Sequence, residues 1–437
     1  MKRSIDEHLL AWKTSPHRKP LLLRGARQVG KTWCARQLGR TFASMLEVNF
    51  EQDRDLSVLF EGRLEAQRLC ERLGAYFGTP VVPGRTLVFL DEVQACPNAL
   101  RALRFFREQM PELHVLAAGS LLEFTLSELP SFGVGRIESR YMYPMSLREF
   151  ATAVGAEALL DLAVSTADQG GLAPVLHGQL VEHLRTFMVT GGFPEVVQRY
   201  VEARDFSSCG EVLDDLYATI RDDFAKYSGR VPSARLDETF RSVISQAGGK
   251  FVYSQVAPEI GCAQAKTALE LLDLAGLVHR VIHTDAQGLP LGAQVNARRF
   301  KVIPCDVGLY HRLCDVNVSA TLFGDSRAMV NSGAAAEVLA GTELLAAGAP
   351  RRRAQLYYWQ KEKHAGNAEV DYIVQIGDGI VPIEVKAGTR GSMQSMRVFF
   401  STHPGSRYGI RSSLENYSGY GNIKVVPLYA LGSRSPA

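Results

Sequence analysis

Eight residues near the start of the chain, Gly25-Ala26-Arg27-Gln28-Val29-Gly30-Lys31-Thr32, fit the spacing G-x-x-x-x-G-K-[ST] of a phosphate-binding loop. Its glycines let backbone N–H groups curl around phosphates, Lys31 can neutralise the β and γ oxygens, and the Thr32 hydroxyl can ligate Mg²⁺. About 60 residues on, the apolar run Leu87 to Leu90 ends in Asp91-Glu92. Asp91 is expected to hold Mg²⁺ through water, and Glu92 to polarise the attacking water as general base. A third apolar run, His114 to Gly119, ends at Ser120. Ser120 is either a hydrogen-bond partner of the γ-phosphate or attacking water, or a serine in a strand-terminal turn. Arg136 and Arg140 are candidates for an arginine finger acting in a neighbouring subunit, the alternative being solvated surface arginines.

A second constellation lies near the other end. Glu337 falls on a helix expected from Gly333 to about Ala346, Asp371 opens a strand to Gln375, and Glu384-Val385-Lys386 closes the next strand. Side chains two apart on a strand share a face, so Glu384 and Lys386 project together. Asp371 on the adjacent strand can join Glu384 in a Mg²⁺ site, with Glu337 completing the outer shell. Lys386 could then orient or deprotonate a water for attack on a phosphodiester. Arg351, Arg352 and Arg353, with Lys361 and Lys363, offer positive charge nearby for a phosphate backbone. This order resembles the restriction-endonuclease-like fold and its D…E-x-K signature. A surface ion pair between Glu384 and Lys386 is the plainer alternative.

The elements that must position these groups can be read in outline. Up to about residue 150, strand-like runs (Leu21–Leu23, Met45–Phe50, Thr86–Leu90, Val115–Ala118, Ile137–Tyr143) alternate with helical patterns, which predicts a mostly parallel α/β sheet. Residues 151–230 read as helical, with a break at Thr190 to Pro194. Between 231 and 325, helices expected over Phe251–Ile260 and Ala263–Leu274, then a strand from Val278, follow the order of a winged helix-turn-helix. The outward residues of the second helix (Gln264, Lys266, Thr267, Glu270, Asp273) suit a phosphate backbone poorly. Arg298, Arg299 and Lys301 on the expected wing suit it better, and a packing or oligomerisation role is the alternative to DNA contact. From 326 to 437 the pattern returns to α/β, with strands near 355–360, 370–376 and 380–385.

Further motifs, Tyr143-Pro144-Met145-Ser146-Leu147-Arg148-Glu149-Phe150, Gly191-Gly192-Phe193-Pro194-Glu195-Val196, Arg221-Asp222-Asp223 and Asp306-x-Gly308-Leu309, follow the loop and Leu90-Asp91-Glu92-Val93-Gln94 in one order. Together they resemble a bacterial and archaeal family pairing an N-terminal AAA+ ATPase domain with a C-terminal domain of poorly defined function. The resemblance implies AAA+ architecture over residues 1–150, ATP as the nucleotide, and a homo-oligomer in which a neighbouring subunit supplies an arginine.

Composition narrows the field. The chain has 437 residues, enough for several domains, 46% of them hydrophobic and 22% charged, as in an ordinary globular protein. A net charge of +3 makes no electrostatic case for a dedicated nucleic-acid or membrane-surface protein. The seven cysteines are scattered with no C-x-x-C pair, so neither a zinc site nor a disulfide framework is expected. Met1–Pro20 has no apolar core of a signal peptide, and no run reaches the roughly 18 apolar residues of a membrane span; a cytoplasmic protein is expected. Two functions remain open: an Mg²⁺-dependent ATPase coupled to a nuclease-like domain acting on DNA or RNA, and a signalling or scaffold ATPase whose C-terminal domain contacts proteins.

Overall fold

The computed structural model describes residues 1–119, 122, 126, 135–227, 231–315, 333–361, 367–389 and 391–433. They divide into two compact units, one of Lys2–Tyr143 with Ala349–Arg353, the other of Pro144–Gly348 with Ala354–Ala437.

The first unit is built on five strands: β1 (Leu21–Arg24), β2 (Ser44–Asn49), β3 (Thr86–Asp91), β4 (His114–Ala118) and β5 (Glu138–Tyr141). They pair in the order β2-β3-β4-β1-β5, every neighbour parallel. Strands covered on both faces must be apolar throughout, and β3 and β4 are buried at every position. Leu22, Val88, Leu90, Val115 and Ala117 pack with Leu69 and Leu73 of helix Ala66–Phe77 and with Leu103 and Phe106 of helix Pro97–Gln109. Because β4 lies between β1 and β3, the loop after β1 and the carboxylates after β3 flank the end of β4. The short segment 349–353 belongs to this unit too: the Tyr141 N–H at the end of β5 donates to the Pro350 carbonyl at 2.8 Å. Arg351, Arg352 and Arg353 are therefore part of the first unit, whereas the sequence suggests a place beside Asp371 in the second.

In the second unit, helices Leu147–Val154, Glu157–Ser165, Pro174–Thr190, Pro194–Ala203 and Phe206–Asp223 form the expected helical region. Next come helices Ser233–Gln246 and Cys262–Leu274, then β6 (Val278–Thr284) and β7 (Val295–Pro304). After the helix Gly333–Ala346 come β8 (Leu356–Gln360), β9 (Glu369–Ile376), β10 (Gly379–Val385), β11 (Gly409–Ser413), β12 (Ser418–Tyr420) and β13 (Ile423–Pro427). All eight strands form one sheet, ordered β12-β13-β11-β10-β9-β8-β6-β7.

Two expectations change here. The hairpin β6–β7 is no free wing, since β6 also pairs in parallel with β8. The expected boundary near 325 thus falls within one sheet. Nor is Phe251–Ile260 a helix; only a 3₁₀ turn, Tyr253–Gln255, forms. Lys250 bridges to Lys301, the Phe251 N–H donates to the Phe300 carbonyl, and the Phe251 ring stacks on Phe300. Pairing with β7 has claimed the backbone groups a helix needs.

Three of the family-like motifs converge on one structural node. Ser146 and Glu149 cap helix Leu147–Val154 reciprocally, and the Met145 N–H donates to the Gly192 carbonyl at 2.6 Å. Buried Asp306 accepts from the Gly192 N–H at 2.6 Å and from the Leu309 N–H at 2.8 Å. A Cβ on Gly192 would lie 2.1 Å from the Met145 carbonyl oxygen, which is why glycine stands there. These motifs satisfy buried backbone groups; they are architecture.

Candidate functional site

The phosphate loop joins β1 to the helix Lys31–Gly39. Gly25, Gln28 and Gly30 have positive φ (142°, 63° and 94°), turning successive amides toward the inside of the loop. Gly25 has a second constraint: a Cβ would lie 2.1 Å from the Met142 carbonyl oxygen. The Lys31 ammonium is buried, 7% exposed, and donates to the carbonyls of Gly25 (2.9 Å) and Ala26 (2.7 Å). Burial pushes its pKa down to about 8, although Glu92 and Asp91 pull the other way. Val29 and Ala26 are buried in the loop, while Arg27 lies 3.7 Å from Glu51.

Thr32 Oγ1 donates to Asp91 Oδ2 at 2.8 Å. A hydroxyl and a carboxylate side by side at a helix N-terminus are hard oxygen donors of the kind Mg²⁺ takes, so the residues fit the ion. Burial raises the pKa of Asp91, with the Thr32 hydrogen bond opposing. Asp91 Oδ1 accepts from the Glu92 N–H at 3.1 Å. Glu92 sits in the left-handed region (φ 47°, ψ 43°), a strained backbone that costs about 1–3 kcal/mol in a non-glycine residue and that recurs at functional sites. Gln94 Nε2 donates to Glu92 Oε2 at 2.6 Å, fixing the carboxylate. Gly119, at the end of β4, makes room: a Cβ there would lie 2.0 Å from Gln94 Oε1. The orienting role of Gln94 was not legible in the sequence, although its motif was.

Ser120 lies outside the described residues. The two arginines differ. Arg136 is partly exposed and paired with Glu108, whereas Arg140 is 3% exposed and donates to Glu138 Oε2 at 3.1 Å. Arg136 is freed by releasing one partly exposed ion pair, whereas Arg140 would have to leave a pair in which it is itself buried.

The second unit gathers a different set. The β9–β10 register pairs Tyr372 with Ile383, which sets Asp371 beside Glu384. Asp371 Oδ2 accepts from the Val385 N–H at 2.8 Å, and Lys386 Nζ donates to Glu384 Oε1 at 2.7 Å. Glu337, on helix Gly333–Ala346, joins them, as does Glu369, which shares a face of β9 with Asp371. At their centre is Lys301 of β7, 2% exposed. Its Nζ lies 2.5 Å from Glu369 Oε1, 3.1 Å from Glu337 Oε2 and 3.8 Å from Asp371 Oδ1. The sequence brings Glu337, Asp371, Glu384 and Lys386 together as expected but hides two members, Glu369 and Lys301. Lys301 faces the carboxylates, not a nucleic-acid backbone.

Burial raises the pKa of Glu337 to about 8, with Asp371 adding and Lys301 opposing, and that of Glu384 to about 7, with Asp371 adding. Asp371 is raised by burial as well. Burial alone would lower Lys301, but Glu337, Asp371 and Glu369 outweigh it and hold the ammonium firmly protonated. Glu337 is accordingly a partner of Lys301. Among the described residues, no group of three or more histidine, cysteine or acidic side chains is arranged to hold a metal ion. Nor is any described helix long and apolar enough to cross a membrane.

A family model described as an AAA domain matches residues 17–151, and two domains of unknown function, DUF8612 and DUF4143, match 181–320 and 332–431. No curated protein matches the chain. Among solved structures it is similar to the Walker-type ATPase paby2304 of Pyrococcus abyssi, at 14% identity over 72% of this chain and 95% of that one, with a TM-score of 0.44. The Aeropyrum pernix ORC1 protein in complex with DNA is similar at 13% identity over 74% and 95%, with a TM-score of 0.30. PCH-2 of C. elegans matches at 15% identity over 38% and 46%, with a TM-score of 0.23. The AAA match spans the phosphate loop and both β3 carboxylates. The N-terminal unit is an ATP-binding, ATP-hydrolysing AAA+ domain.

Proposed function

We propose that this ATPase couples its nucleotide state to a nuclease-like domain, of restriction-endonuclease-like fold, that acts on DNA or RNA. The observation that carries the coupling is the path of the chain. The helix bearing Glu337 ends at Ala346, residues 349–353 then belong to the ATPase unit, with Pro350 bonded to Tyr141 of β5, and β8 begins at Leu356. A shift of β5 with nucleotide state would reach that segment through the Tyr141–Pro350 hydrogen bond, and its two flanks through the chain itself.

In the nucleotide site, the backbone of Gly25 to Gly30 cradles the phosphates, Lys31 binds the β and γ oxygens, and Glu92 accepts the proton of the attacking water. Bound with ATP, Mg²⁺ offsets the charge of the triphosphate, and Thr32 and Asp91 are the residues that would hold it. Ser120 serves the γ-phosphate. Arg136 acts in a neighbouring copy of a homo-oligomer, and Arg140 does so only if it leaves Glu138. Glu92→Gln is expected to bind ATP as the wild type does and to lose turnover by about 10²-fold or more, measured by phosphate release. Wild-type turnover in that variant removes Glu92 as the general base.

The nuclease-like reading rests on Asp371, Glu384 and Lys386 standing together. Its test is cleavage of single- and double-stranded DNA and RNA with ATP and a divalent metal, expected in the wild type and lost in Asp371→Ala. One observation favours a second reading, a scaffold ATPase that binds proteins. On helix Cys262–Leu274 the exposed residues are near neutral, and Lys266 lies 3.9 Å from Glu270, a poor phosphate grip. No cleavage of any substrate, with ATP turnover intact, establishes the second reading over the first.

A further inference from the structure

The carboxylate cluster poses a question of charge. Oxygen donors from Asp371 and Glu384 suit a divalent cation chemically. Their surroundings do not, because a cation is already there. Lys301 reaches in from β7 and places its ammonium within 3.1 Å of Glu337 and Glu369 and 3.8 Å from Asp371 Oδ1. Lys386 engages one oxygen of Glu384, and the other, Oε2, is buried with no hydrogen-bond partner among the described residues. An acceptor buried in that way is costly, and it is the part of the cluster that Lys301 and Lys386 leave unanswered.

We propose that Lys301 is the resident cation of this site, a tethered substitute that keeps the cluster compensated without metal and competes with Mg²⁺ or Mn²⁺ for it. The inference rests on the nuclease-like reading only for the identity of the competing ion. Three physical points support it. A primary ammonium carries one charge on a compact head with three donors, so it can serve three carboxylates at once, as a metal does. Lys301 is delivered by a strand, not a surface loop, and the end of that strand is fastened two residues after Pro304 by Asp306 bonding to Gly192 and Leu309. Its backbone is therefore held by the β6–β7 ladder. Finally, Glu337 and Glu369, which a divalent ion would need to fill its shell, are the two carboxylates closest to the ammonium.

The test is a Mn²⁺ titration of the full-length, nucleotide-free protein, following free Mn²⁺ by electron paramagnetic resonance, with thermal unfolding run in parallel. Asp371→Asn serves as the baseline, because its side-chain carbonyl still accepts from the Val385 N–H while the charge is gone. In the wild type, Mn²⁺ binding is expected to match that baseline. Lys301→Met should gain one site at least tenfold tighter, lost in the Lys301→Met, Asp371→Asn double variant, and Mn²⁺ should raise its melting temperature. Lys301→Arg should behave as wild type. Should Lys301→Met not fold, Lys301→Gln takes its place. The wild-type titration also decides alone: a tight Mn²⁺ site that Asp371→Asn removes overturns the proposal. So does a Lys301→Met protein that folds and gains no site. A gained site without cleavage of any nucleic acid leaves Lys301 as the resident cation and overturns only the nuclease reading.

Discussion

Two lysines, one in each unit, are buried to nearly the same extent and pushed in opposite directions. Lys31 is 7% exposed and its pKa falls to about 8; Lys301 is 2% exposed and its pKa rises. Burial penalises both ammonium ions equally in kind, so the difference lies in what surrounds them. Lys31 touches two backbone carbonyls and sees Glu92 and Asp91 only at a distance. Lys301 is in contact with carboxylates on one strand, β9, and on a helix. One site is short of negative charge and suited to receive an anion. The other already holds its anions and has little need of another cation. The same residue type thus marks a binding site in one unit and a compensated cluster in the other.

The sharpest way to break that contrast is to delete the Lys31 charge. Lys31→Ala is expected to weaken ATP binding by about 10³-fold or more, roughly 4 kcal/mol, measured by titration calorimetry with Mg²⁺ present. Binding within tenfold of the wild type would mean that the loop lysine is not completed by a triphosphate. A smaller but more discriminating effect is stability without nucleotide. Lys301→Met leaves buried carboxylates uncompensated and should cost about 3–5 kcal/mol. Lys31→Met loses hydrogen bonds to two carbonyls but also the cost of burying an ammonium, so its stability should stay within about 1 kcal/mol of the wild type. Equal losses in the two variants, by denaturant unfolding, would erase the distinction drawn between the sites.

The same contrast explains what the sequence could disclose. The nucleotide site is local: eight consecutive residues make the loop, and two carboxylates close a run of apolar residues whose burial on both faces is visible as unbroken hydrophobicity. The expected β1, β2, β3 and β4 each lie within a residue of those observed. The carboxylate cluster is assembled across distance. Lys301 lies 36 residues before Glu337 along the chain, and nothing in β7 read alone says that Lys301 points inward while Arg298 stays exposed. Strands β11, β12 and β13 are not legible because runs of three to five residues carry little periodicity. The place of Arg351 to Arg353 is hidden for a related reason: chain continuity points to the second unit, whereas the hydrogen bond from Tyr141 to the neighbouring Pro350 ties the segment to the first.

The smallest effect is the most specific to Lys31. With its pKa near 8, the side chain is mostly charged at pH 7 and mostly neutral at pH 9 in the nucleotide-free protein. A triphosphate favours the charged form, so binding raises that pKa and draws in a proton. Affinity should therefore be nearly flat below pH 7 and fall by about tenfold between pH 7 and pH 9, since only about a tenth of the protein is in the binding form at the upper end. Calorimetry in two buffers of different ionisation enthalpy should show close to one proton taken up per nucleotide at pH 9. Lys31→Arg supplies the control, because a guanidinium stays charged throughout and cancels any titration belonging to the nucleotide. A slope in the wild type equal to that of Lys31→Arg would show that Lys31 is already charged at pH 9. In that case the carboxylates Asp91 and Glu92 outweigh burial in the first unit as their counterparts do around Lys301, and the two lysines are alike after all.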